Sequence, residues 1–121
     1  MPKISRFEEI EAFQTARALT RAVYSLSNAG AFSRDFGLRD QMRRSAVSIM
    51  SNIAEGFESR TRALFIDFLG RAKASAGEFR AQCYVALDAE YVTNEIFEDL
   101  VCQAEICSKQ LSSFISYLKS L

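Results

Sequence analysis

The polar residues of greatest chemical interest lie in the stretch QMRRSAVSIMSNIAEGFESR, residues 41–60. Gln41, Ser45, Ser48 and Asn52 recur at spacings of four, three and four, which places them on one face of a helix. Such hydroxyl and amide groups form hydrogen bonds across a helix interface and fix its register, or they face a ligand or nucleic acid. The residue pattern alone leaves both interpretations open.

The same stretch carries charges whose positions need an explanation. Arg43 projects toward the apolar side of the predicted helix, where its charge needs a carboxylate partner or a path to solvent. Asp67 and Glu78 are the candidate partners. Glu55 lies on the polar side, and Gly56 is expected to end the helix.

The chain has no histidine. This excludes imidazole-based acid–base and nucleophilic catalysis, zinc sites that need imidazole, and the di-iron carboxylate bundle. The glycines are scattered and form no phosphate-binding loop, and the serines of residues 41–60 have no lysine in the same segment. We therefore expect a protein that is not an enzyme, with no catalytic residue, metal, cofactor or small-molecule substrate.

A second candidate surface lies on the predicted helix that follows residue 61. Its outward stripe interleaves basic residues with an aromatic ring, a combination that suits a phosphate backbone and a stacked base. The alternative is an ordinary solvated face. The candidate phosphate contacts are Arg39, Arg44, Arg60, Arg62, Lys73 and Arg80, with Tyr84 for stacking and Ile66, Arg71 and Tyr91 extending the surface.

Apolar periodicity predicts four amphipathic helices, over residues 7–28, 34–55, 61–90 and 93 to the C-terminus. Short connections favour an all-α, antiparallel up-and-down four-helix bundle. The expected caps are a capping box of Ser5 and Glu8, Ser33 before the second helix and Thr93 before the fourth.

The second predicted helix is apolar over nearly half of its circumference. Met42, Ala46, Ile49 and Ile53 form one stripe, and a neighbouring stripe contains Val47, Met50, Ala54 and Phe57. Either the helix is sandwiched between neighbours within one chain, or it is buried against another subunit. This breadth favours homo-oligomerisation.

Composition is that of one ordinary globular domain, residues 1–121. The formal net charge is zero, with 13 Lys/Arg against 9 Asp/Glu in residues 1–80 and 2 against 6 in residues 81–121. The three cysteines, Cys83, Cys102 and Cys107, are expected to be buried thiols in a reducing compartment. No apolar run reaches the roughly 20 residues of a membrane span, and no signal peptide is recognisable. We expect a cytoplasmic protein without a membrane partner.

Several motifs resemble those of a bacterial family, the four-helix bundle proteins encoded in intervening sequences of 23S ribosomal RNA genes. The most specific is Ser-Ile-x-x-Asn-Ile-Ala-Glu-Gly over residues 48–56. Aromatic-Gly-Leu-x-x-Gln-x-Arg-Arg over residues 36–44 and aromatic-Gln-x-Ala over residues 13–16 are also similar. Phe13, Met50, Leu64 and Ala74 depart from the family pattern, which commonly has Trp, Pro, Glu and Gly there.

The resemblance implies an up-down four-helix bundle that assembles into a ring-like homopentamer. It also implies nucleic-acid binding, because relatives are encoded inside ribosomal RNA genes. A more distant relative is the accessory protein of diversity-generating retroelements, which works with a reverse transcriptase. No catalytic residues carry over.

Two functional hypotheses follow. The first is a non-enzymatic cytoplasmic ring that binds RNA or DNA through the basic residues named above. The alternative is a scaffold that binds a protein partner through its acidic last helix or the Gln41/Asn52 stripe. Binding to phosphate weakens steeply with salt, so salt dependence separates the two.

Overall fold

A computed structural model describes residues 3–121. Over these residues the protein has five α-helices and no strand. They are α1 (Glu11–Leu26), α2 (Gly30–Arg34), α3 (Phe36–Phe57), α4 (Arg62–Asp88) and α5 (Asn94–Lys119), preceded by a 3-10 turn at Phe7–Glu9. The predicted all-α architecture with four long helices is confirmed, whereas the short α2 was not anticipated.

The four long helices pack side by side, each antiparallel to its neighbours. Helix α3 lies between α1 and α4, and α5 closes the arrangement against α4 and α1. The direction of the α4–α5 pair follows from two contacts. Tyr84 meets Phe97 near one end of the α4–α5 pair, and Phe65 meets Phe114 near the other. Thr15 of α1 donates a hydrogen bond to Gln110 of α5 at 2.7 Å.

The core is one continuous apolar cluster along the bundle axis. Leucine, isoleucine, phenylalanine and alanine side chains make up most of it, and alanines at Ala16, Ala46, Ala72, Ala76 and Ala104 are fully buried. These small residues let the helices approach closely. At about 25 cal/mol per Å² of buried apolar surface, this cluster supplies the main driving force for folding.

The helix starts differ in detail from the expected caps. Glu9, and not Glu8, accepts hydrogen bonds from the backbone N–H of Ser5 and Arg6, at 2.8 and 2.9 Å. Glu8 instead pairs with the Arg6 guanidinium, which lowers the pKa of that exposed carboxyl. The short turn that precedes α1 shifts the capping register by one residue.

Asp35, and not Ser33, caps α3 by accepting from the Leu38 N–H at 3.1 Å. The reason is α2, which occupies the segment where Ser33 was expected to start the helix. The Thr93 cap is confirmed, since its hydroxyl accepts from the Ile96 N–H at 3.1 Å. Thr61 caps α4 in the same way.

Tyr91 joins two connections at one end of the bundle. Its hydroxyl donates to Asp35 Oδ2 at 2.8 Å, and its ring stacks on the buried Phe32 at 5.3 Å. The hydrogen bond to the Asp35 carboxylate raises the pKa of Tyr91, and burial acts in the same direction. The ring of Tyr91, which the sequence analysis placed at the far end of the basic surface, is therefore engaged in packing against Phe32.

Helix α3 owes its broad apolar surface to neighbours within the chain. The first stripe, including Met42 and Ile53, is fully buried. In the second stripe, Met50 and Phe57 pack against the core and Ala54 is half-buried, whereas Val47 stays 37% exposed. Of the two alternatives posed by the sequence, sandwiching between α1 and α4 accounts for the breadth without a second subunit.

Gly56 lies at a point where α3 approaches α4 closely. The helix continues one residue past it, to Phe57, so Gly56 does not end α3 as expected. A Cβ added at Gly56 would lie 2.8 Å from Phe68 Cβ, 3.0 Å from Phe65 Cδ1 and 3.3 Å from Phe65 O. Only a hydrogen fits in this space.

We expect Gly56→Ala to lower the free energy of unfolding by about 1–3 kcal/mol, because the methyl group forces α3 and α4 apart. Gly37→Ala is the matched control in α3. Its Cβ would meet only Asp35 Oδ1, at the ordinary contact distance of 3.8 Å, so adding a methyl group there should not lower the free energy of unfolding. Urea unfolding followed by circular dichroism measures both. Equal effects from the two variants would contradict the close approach.

Candidate nucleic-acid interface

The polar residues of α3 form a seam along its contact with α4. The Ser45 hydroxyl, which is buried, lies 2.7 Å from Gln82 Oε1 and 3.1 Å from Met42 O. Ser48 and Ser75 share a hydrogen bond at 3.0 Å. Ser45 and Ser48 thus bridge two helices, as the structural interpretation of the stripe requires.

Asn52 and Gln41 have different roles from those two serines. The Asn52 amide donates to the backbone oxygen and hydroxyl of Ser48, at 2.8 and 3.1 Å, so it braces the seam from within α3. Gln41 and Glu55 are exposed. A ligand approaching α3 from solvent would therefore meet these two side chains before the seam.

Gln82 is the member of the seam that the sequence analysis missed. It is buried at a position of α4 flanked by the apolar Phe79 and Cys83. An amide here needs a hydrogen-bond partner, because a buried polar group without one costs about 1–3 kcal/mol. A glutamine among core positions of one helix, matched by serines in another, was the available signal.

Arg43 is held by α1 and not by a carboxylate of α4. Its Nε donates to the buried Ser27 hydroxyl at 2.8 Å, and its guanidinium carbon lies 4.6 Å from the centre of the Tyr24 ring. The expected partners Asp67 and Glu78 are wrong, because Arg43 leaves α3 on the side facing α1. Asp67 pairs instead with Arg71 at 3.0 Å.

The basic stripe of α4 contains two exposed cations on one line. Arg62 and Lys73 are exposed, and Ile66 between them is half-buried. Neither cation forms an ion pair with another described residue. Their charges therefore act on solvent and on whatever approaches α4.

Arg80 and Tyr84 continue this line toward the far end of α4. Arg80 is half-buried, and its buried Nε has no hydrogen-bond partner among residues 3–121. Tyr84 is 54% exposed and meets Phe97 of α5 edge to face, with ring centres 4.9 Å apart. Together with Arg62 and Lys73, these residues span about 33 Å at 1.5 Å per residue.

The remaining predicted cations are dispersed. Arg39 pairs with Asp40 at 2.9 Å, donates to Ser33 O and covers the exposed Phe36 ring, so its guanidinium already has partners within the chain. Arg44 on α3 and Arg60 in the α3–α4 connection are exposed, and neither is paired with another described residue. Four of the seven predicted contacts, Arg62, Lys73, Arg80 and Tyr84, therefore lie on one line along α4, which we call the α4 line.

The cysteines differ from one another in exposure. Cys83 and Cys107 are buried, and burial raises the pKa of each thiol to about 12. Cys102 is exposed on α5, so the expectation of a third buried thiol is wrong. Cys102 lies on the outward side of α5, although the apolar periodicity of the sequence predicted a core position.

Residues 3–121 contain no group of three His, Cys, Asp or Glu side chains arranged to hold a metal ion. None of the described helices combines the length and the hydropathy needed to cross a membrane.

A groove of about 580 Å³ lies between the N-terminal segment and α5. Its apolar lining includes Ile4, Ile10, Ile106 and Phe114, and Lys109 borders it. This volume falls in the range of ligand pockets. The groove is separate from the α4 line and borders the acidic helix α5.

The chain resembles known proteins in both sequence and fold. A family model described as 23S rRNA-intervening sequence protein matches residues 8–113. The chain is also similar to the crystal structure of a protein of unknown function from the S23 ribosomal protein family of Bacteroides thetaiotaomicron. The two share 24% identity at a TM-score of 0.80, over 87% of this chain and 95% of that chain. At that identity the likeness establishes the fold alone. No curated protein matches the chain.

Arg43 and Arg44 offer a direct test of which arginine is structural. We expect Arg43→Lys to lower the free energy of unfolding by about 1 kcal/mol, because lysine lacks both the planar stack on Tyr24 and the Nε–H bond to Ser27. Arg44→Lys retains an exposed cation and should change it by less than about 0.5 kcal/mol. Urea unfolding of both variants measures the difference, and indistinguishable midpoints would refute a structural role for Arg43.

Proposed function

Since the chain belongs to the 23S rRNA-intervening sequence protein family, we propose that it binds RNA or DNA without catalysing a reaction, as a cytoplasmic homopentamer. The observation that carries the binding proposal is the line of unpaired cations on α4. Arg62 and Lys73 are exposed, Arg80 lies farther along, and Tyr84 ends the line with a half-exposed ring.

Physical chemistry supports this use of the line. Each phosphate that is neutralised by Lys or Arg releases condensed counterions. A short row of unpaired cations therefore binds a phosphate backbone, with an affinity that falls as the salt concentration rises. Zero net charge does not oppose local binding, because exposed charges farther away than about 8 Å are screened at physiological salt. Arg44 and Arg60 supplement the line from α3 and its connection.

A scaffold that binds a protein partner is the alternative function. The observation that favours it is the apolar groove beside α5, a helix whose first half carries Glu95, Glu98, Asp99 and Glu105. Ser45 and Ser48 face α4 instead, which leaves Gln41 as the accessible part of the polar stripe. An apolar interface of this kind would change little with salt.

The first test is fluorescence anisotropy with labelled RNA and DNA across a salt titration. We expect binding that weakens with salt, and Arg62→Glu/Lys73→Glu should reduce affinity by at least about tenfold. The salt slope of log K should fall by about 1.4–1.8, since each lost phosphate contact removes about 0.7–0.9.

Arg17→Glu/Arg21→Glu is the matched control for this test. Both arginines are exposed on α1, and the variant changes the net charge by the same amount. It should bind as the wild type does. Equal losses from both variants would show that net charge alone matters, and absence of binding by the wild type at low salt would favour the scaffold.

The proposed homopentamer needs a surface that admits another chain. The outward face of α4 has exposed small residues, Gly70, Ala74, Gly77 and Ala81, and a Cβ at either glycine would meet nothing within 4 Å. These residues leave the backbone of α4 accessible to a helix of a second copy. This free face supports assembly more directly than the apolar breadth of α3, which neighbours within the chain cover.

We expect Gly77→Leu to reduce the assembly to smaller species, because a leucine on this face holds another helix away. Ala18→Leu, at an exposed position of α1, is the control and should leave assembly intact. Light scattering after size exclusion measures the mass against five copies of the 13.6 kDa chain. A pentamer unaffected by Gly77→Leu would place the interface elsewhere, and a monomeric wild type would exclude the pentamer.

A further inference from the structure

The ring of Tyr84 has an exposed face on which an unpaired base can stack. It is 54% exposed, while its contact with Phe97 at an interplanar angle of 74° restrains its position. A restrained, half-exposed aromatic ring is suited to stacking on a base, and only an unpaired base presents its face.

The neighbouring helix limits the width of the basic surface. Phe97 places the start of α5 beside Tyr84, and Glu98 and Glu105 flank a shallow depression on the same helix with Val101. The carboxylates of Glu98 and Glu105 therefore lie on the helix that adjoins the α4 line, and α4 itself carries the exposed Asp67, Glu78 and Asp88 on its other faces. One phosphate backbone fits along the α4 line, whereas a second backbone displaced toward α5 would meet negative charge.

The packing of α4 also opposes insertion into a duplex groove. Helix α4 contacts α3 on one side and α5 on the other. The major groove of B-DNA is about 12 Å wide, and one helix with its side chains is already about 10–12 Å across. A helix flanked on both sides cannot enter that groove far enough to read base edges.

Resting on the nucleic-acid binding proposed above, we propose that the α4 line takes single-stranded nucleic acid in preference to duplex. Arg62, Lys73 and the accessible part of the Arg80 guanidinium contact the phosphates of one strand. Tyr84 stacks on an unpaired base at the end of the line. The proposal distinguishes a single strand from a duplex, and the same titrations show whether RNA or DNA binds more tightly.

The test compares labelled oligonucleotides longer than a site of about 16 nucleotides, as a single strand and as its duplex, in RNA and DNA. Anisotropy titrations run on the full chain at about 50 mM salt. We expect the single strand to bind at least about tenfold more tightly than the duplex of the same sequence.

Two substitutions isolate the stacking contribution. Tyr84→Leu keeps an apolar contact with Phe97 but removes the aromatic face, and should weaken single-strand binding by about 5- to 150-fold, the range measured for one stacked base. Tyr84→Phe should retain wild-type affinity. Duplex binding should be equal in all three proteins, and circular dichroism confirms that each is folded.

Each result separates this inference from the function on which it rests. Equal or tighter binding of the duplex overturns the preference for a single strand while nucleic-acid binding stands. Single-strand binding unchanged by Tyr84→Leu overturns the stacking role. Failure of the wild type to bind any of the four oligonucleotides removes both proposals.

Discussion

The close contact between α3 and α4 is the constraint on which the rest of the bundle depends. At one end, Gly56 allows Phe65 and Phe68 to reach the backbone of α3. Farther along, Ser48 meets Ser75 and Ser45 meets Gln82. A hydrogen at one position and paired polar groups at the others permit a single register, because a shift along the helices would bury unpartnered hydroxyls and an amide.

This register determines where the cations of α4 lie. With the side that carries Ser75 and Gln82 turned toward α3, the side that carries Arg62, Lys73 and Tyr84 turns toward α5 and solvent. The contact of Tyr84 with Phe97 marks the boundary of that side. Ser45 and Ser48 of α3 therefore help to fix the direction in which the α4 line faces. These serines can support binding in this way without contacting a ligand.

Much of the fold could be predicted from the sequence. Apolar periodicity located four long helices, and Thr93 was correctly identified as a cap. Cap residues elsewhere were harder, because the 3-10 turn at Phe7–Glu9 and the short α2 each displaced a helix start. Several neighbouring polar residues could each cap a helix. Local sequence rules identify the wrong one when an unanticipated turn moves the start of the helix. Of the residues named for the candidate site, Arg39 and Tyr91 make local packing contacts, and nucleic-acid binding by the others stays a prediction.

The sequence by itself determined the four long helices, the absence of histidine chemistry and the alignment of Arg62, Lys73, Arg80 and Tyr84, since these follow from residue type and a period of 3.6. The tertiary structure decided which partners those residues meet. Arg43 reaches Tyr24 and Ser27, and Gln82 reaches Ser45, across separations of 16 to 37 residues. Helical period fixes the direction of a side chain around its own axis. Only packing determines which neighbour stands in that direction.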